Sequence, residues 1–210
     1  MSTSDANKQL AGIQIVQGNT HRERLQEDAE SPKEDNWTLA VNSLKQLSRA
    51  GNWEEAHESL IFLANQENHP EVYRAKALAV WLALKTDVPI AQLTSSFYKL
   101  LIGVGPDHES APALASLANL MLHHRTPDHP DRELAQLHVH QMFQYVSEVD
   151  GITDQEGFKS WVEENHLDDP DIIIPMVMQT LEEIMGDLDW IDRDRIQDQL
   201  MQDNTERANA

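Results

Sequence analysis

The chain has no cysteine, which removes disulfides, thiolate nucleophiles and cysteine-based metal sites together. Basic residues are scarce: 16 lysines and arginines stand against 36 aspartates and glutamates, a formal net charge of −20. Such a field repels nucleic-acid phosphates and anionic lipid headgroups and attracts basic protein surfaces or cations. Long hydrophobic runs are missing too. No stretch of about 18 apolar residues could span a bilayer, and the polar segment from Met1 to Leu10 lacks the apolar core of a secretory signal, so a soluble cytoplasmic protein is expected. Enzyme signatures are equally thin, with no Gly-x-Ser-x-Gly elbow, no phosphate loop ending in Gly-Lys-Ser or Gly-Lys-Thr and no His-Glu-x-x-His helix. The pair Gly103 and Gly105 has no third glycine after it and reads as a link between helices. The expectation is a non-enzymatic chain without a cofactor.

What is present is helical periodicity. At 210 residues and 40% apolar composition the chain can bury a core in one domain with a small extension. Residues 1–35 read as a flexible acidic arm around one short apolar piece, Ile13 to Val16. From Trp37 onward, apolar residues recur three or four apart, which places them on one face of a helix. Trp37, Ala40, Leu44 and Leu47 make the first stripe, and Ala56, Leu60 and Leu63 the second. Further stripes follow at Val72 to Leu82, Ala91 to Leu101, Leu114 to Met121 and Leu134 to Val146. The spacing predicts three successive helical hairpins.

The turn Gly51-Asn52-Trp53-Glu54-Glu55-Ala56 lies between the first two stripes. Gly51 suits a left-handed exit from one helix, and Asn52 suits the cap of the next. Gly51, Ala56 and Leu60 resemble the glycine, alanine and bulky apolar positions of a tetratricopeptide or Sel1-like repeat. Ala56, Ala91 and Ala135 fall at equivalent places in the second helices, separated by 35 and 44 residues, an irregular version of the spacing of about 34 to 40 that two-helix repeats require. The other two hairpins lack the turn glycine, so the resemblance is to a degenerate array over residues 36–148; an ordinary helical bundle is the alternative. The fold class expected is all-α: stacked antiparallel hairpins, α-solenoid-like, with an acidic helical cap over residues 149–202 and a frayed tail at 203–210. The resemblance implies a protein-interaction module whose concave face holds a peptide or helix, with Trp53 and Tyr73 near that groove.

The last third carries most of the charge: from Glu148 onward there are 18 acidic and 4 basic residues, a net of −14. Thr153 and Glu156 form a capping-box pattern that should start a helix carrying Phe158 and Trp161. The run Ile172 to Met185 is apolar on nearly every side, is broken by Pro175, and is either buried or a homodimer surface. A last helix is expected from about Asp189 to Met201. Acidic residues interleaved with tryptophan suit a basic amphipathic partner, since charge speeds encounter and aromatics supply the anchor. The expected partner-binding residues are Trp190, Asp187, Asp189, Asp192 and Asp194, with Trp161 packed inside. An acidic nucleic-acid mimic that occupies a DNA-binding protein is the second reading. A third is a metal-binding helical protein using the cluster from His123 to His140, with His124, Asp128 and His129 as candidate ligands near a turn.

Overall fold

A computed structural model describes residues 35–125 and 130–198. The expected N-terminal arm, the candidate ligands Asp128 and His129 and the expected tail lie outside the described residues. Among those described, the chain is all-α, with no strand. Its helices are α1 (Asn36–Ala50), α2 (Trp53–Ala64), α3 (Val72–Lys85), α4 (Ile90–Val104), α5 (Ala111–His124), α6 (Arg132–Val149), α7 (Gln155–Glu164) and α8 (Pro170–Met185). A short further helix covers residues 193–198.

Local chemistry sets the first boundaries. The Asp35 side chain accepts a hydrogen bond from the Trp37 amide at the start of α1. At its end Gly51 adopts φ 76°, and the Asn52 amide bonds back to the Leu47 carbonyl at 3.0 Å. This is a Schellman closure, which favours glycine because a Cβ is strained at positive φ. Asn52 stands before α2 as expected, but its side chain makes no capping bond; Glu54 and Glu55 in the first turn complement the helix dipole instead.

Each helix from α1 to α5 packs on the next, and α4 also packs on α6. The helix α8 then folds back onto α3 and α5. Its contact face is Ile173, Val177, Leu181 and Met185, all buried, and the Thr180 hydroxyl donates to the Ser110 hydroxyl at 2.6 Å. Beyond Gly186 the chain reaches α1, where Trp190 meets Trp37 edge-on at 5.5 Å and Trp37 stacks on His69 at 3.4 Å. One continuous hydrophobic core therefore runs from Trp37 to Ile196.

Four local expectations need correction. Helix α8 passes through Pro175 without a break. A proline inside a helix costs about 3 kcal/mol, whereas each buried aliphatic side chain contributes about 1.5–3 kcal/mol; four on one face outweigh the loss. The same helix is buried on one side only, leaving Ile172, Ile174 and Met176 exposed. Helix α7 is capped by Asp154, whose carboxylate accepts from the Gly157 amide at 2.8 Å, not by Thr153. The last helix also starts later than expected, with the Asp192 carboxylate accepting the Arg195 amide at 3.0 Å.

Candidate functional site

Of the residues expected to hold a partner, the four aspartates Asp187, Asp189, Asp192 and Asp194 are exposed. Trp190 is not: 6% of it reaches solvent, and its ring sits in the core with Leu188, Ile191 and Ile196. It therefore cannot serve as a free aromatic anchor, and Trp161 is buried as expected. Asp189 and Asp192 share a cleft of about 430 Å³ with Lys45, Arg49 and Arg195, and Arg193 pairs with Glu182. Trp53 is half-buried against the core. Tyr73 is exposed, with the Lys76 ammonium 5.3 Å from its ring centre. Neither ring is stacked on Trp190 among the described residues.

The histidines scatter. His123 and His124 are exposed, and the His123 ring is bonded to the Asn119 carbonyl at 2.8 Å. His138 turns toward α4, 3.1 Å from the Thr94 hydroxyl and stacked on Tyr98; burial lowers its pKa. His140 is exposed on α6. Among the described residues no group of three or more His, Cys, Asp or Glu is placed to hold a metal, while Asp128 and His129 lie outside them.

A histidine that sequence reading passed over is the most strongly perturbed group among the described residues. His57 is fully buried between α2 and α4, with Nδ1 donating to Gln92 Oε1 at 3.1 Å and Nε2 3.0 Å from the Ser96 hydroxyl. Loss of hydration pushes its pKa down to about 4, against the opposing pull of the Gln92 bond. Its place in α2 beside Glu54, Glu55 and Glu58 gives no sign of burial.

Two surfaces remain open. On α8, Ile172 and Met176 are 37% and 40% exposed and lie one turn apart, on the same face as Gln179 and Glu183. Ile174, two residues from each and so on the other flank of the helix, is 42% exposed, and Asp168 and Asp171 stand exposed at the helix start. The second surface is a groove of about 810 Å³ between α5, α6 and α7. Its apolar corner is built by Phe143 and Phe158, edge-to-face at 5.4 Å, with Val162 and Leu167 alongside. Helix α7 is held there by this ring pair and by Trp161 Nε1, which donates to Asp150 Oδ2 at 2.7 Å. Compared with protein families, curated proteins and solved structures, the chain matches no family model, no curated protein and no solved structure.

Proposed function

We propose that this chain is a non-enzymatic protein-interaction module that binds a basic amphipathic segment of another protein on the outer face of α8. In this reading α1 to α6 form three hairpins stacked like degenerate tetratricopeptide repeats. Helix α8 lies over α3 and α5, the first helices of the second and third hairpins, so the partner is received outside α8 and not between those helices. The observation that carries the reading is the exposed apolar pair Ile172 and Met176, with Glu183 on the same face and Asp171 in the first turn. Apolar side chains supply the buried contact, and the acidic rim steers a basic segment to it and rejects acidic ones. The same charge argues against a second copy of this chain as the occupant, since each would bring a net −20.

A pull-down from native-host lysate tests this, with wild type and an Ile172→Glu/Met176→Glu variant washed at low and at high salt. The expected result is a defined protein held at low salt, weakened at high salt and lost with the variant. Equal recovery by the variant and the wild type would count against the assignment.

A further inference from the structure

We infer that the groove between α5, α6 and α7 is a binding site for a small aromatic amine, separate from the outer face of α8. Its volume of about 810 Å³ falls within the range of about 300–1,000 Å³ that small-molecule sites occupy. The Phe143 and Phe158 rings meet at 88°, so together they form a corner of two apolar walls that a flat ring can enter against one face and one edge.

Polar groups narrow the class. Ser116 lines the groove on α5 and is 4% exposed, and its hydroxyl has no hydrogen-bond partner among the described residues. A buried hydroxyl left unsatisfied is costly and is seldom left so; a rotation of the Ser116 side chain toward the groove would pair it with a polar atom of a bound molecule. Among the lining residues Asp168 carries the carboxylate, and no lysine or arginine among the described residues lines the groove. An anion entering would meet that carboxylate and the net −14 of the chain from Glu148 onward. An ammonium group would be attracted by both. Apolar corner, unpaired hydroxyl and carboxylate rim thus select a ring bearing a protonated amine.

Titration calorimetry on the full chain tests the site, with 2-naphthylmethylamine as probe and 2-naphthoate as its anionic counterpart. The amine should bind one to one, at least about tenfold tighter than the carboxylate. Asp168→Asn should weaken the amine about fivefold, and Ser116→Ala should weaken it by a similar factor. Ser147→Trp, which fills the groove from α6, should abolish binding while circular dichroism reports an intact fold. Absence of amine binding to the wild type, equal affinity for amine and carboxylate, or binding unchanged in Asp168→Asn and Ser116→Ala would overturn the assignment.

Discussion

Ten of the 14 residues of α3 are buried, against one of the ten in α7. The difference comes from neighbours. Helix α3 packs on α2, α4 and α8, so nearly every position of Val72–Lys85 faces protein, and its alanines let those helices approach closely. Helix α7 touches the rest through Phe158, Trp161 and Val162 and leaves its other faces to water. Stability is thus concentrated in the first region, while the open surfaces lie on the outer face of α8 and along the groove that α7 borders, where binding does not have to disturb the core.

The sharpest way to break the contrast is to truncate the centre of α3. Trp81 is fully buried, and Trp81→Ala should cost about 3–5 kcal/mol, read from denaturant unfolding. Acidification should come next. The folded pKa of His57 is about 4 and its ordinary value 6.5, so between these values the unfolded chain binds the extra proton. The contribution is complete above pH 6.5, falls as pH drops toward 4 and amounts to about 3 kcal/mol. A His57→Asn variant should lose that slope in a pH series of unfolding curves.

The effects in the C-terminal region should be smaller. Trp161→Phe removes the bond to Asp150 and should cost about 1 kcal/mol, seen as faster hydrogen exchange across α7 with little change in α3. Ile172→Glu/Met176→Glu should stay within about 0.5 kcal/mol of wild type, since both side chains are already exposed. A loss as large as that of Trp81→Ala would show that α8 is buried on its outer face as well.

Particular residues show how much the sequence could say. Gly51 was legible because a left-handed exit followed by an apolar stripe leaves few alternatives, and α5 lies at Ala111–His124 as its periodicity predicts. Pro175 misled because a local rule met a stronger tertiary term: four buried side chains on the opposite face of α8. Trp190 misled because its neighbours in sequence are aspartates, while its partner Trp37 lies at the other end of the described chain. The open groove was not legible at all. Ser116 sits in an alanine- and leucine-rich helix, and only the packing of α5, α6 and α7 leaves its hydroxyl buried and unpaired beside the groove.

The most direct measurement of the central claim is calorimetric titration with a synthetic amphipathic helix, leucine on one face and lysine on the other, into wild type and Ile172→Glu/Met176→Glu. The account predicts one-to-one binding to wild type that weakens severalfold with salt and disappears with the variant. Binding of equal strength to both proteins would place the contact elsewhere and contradict it.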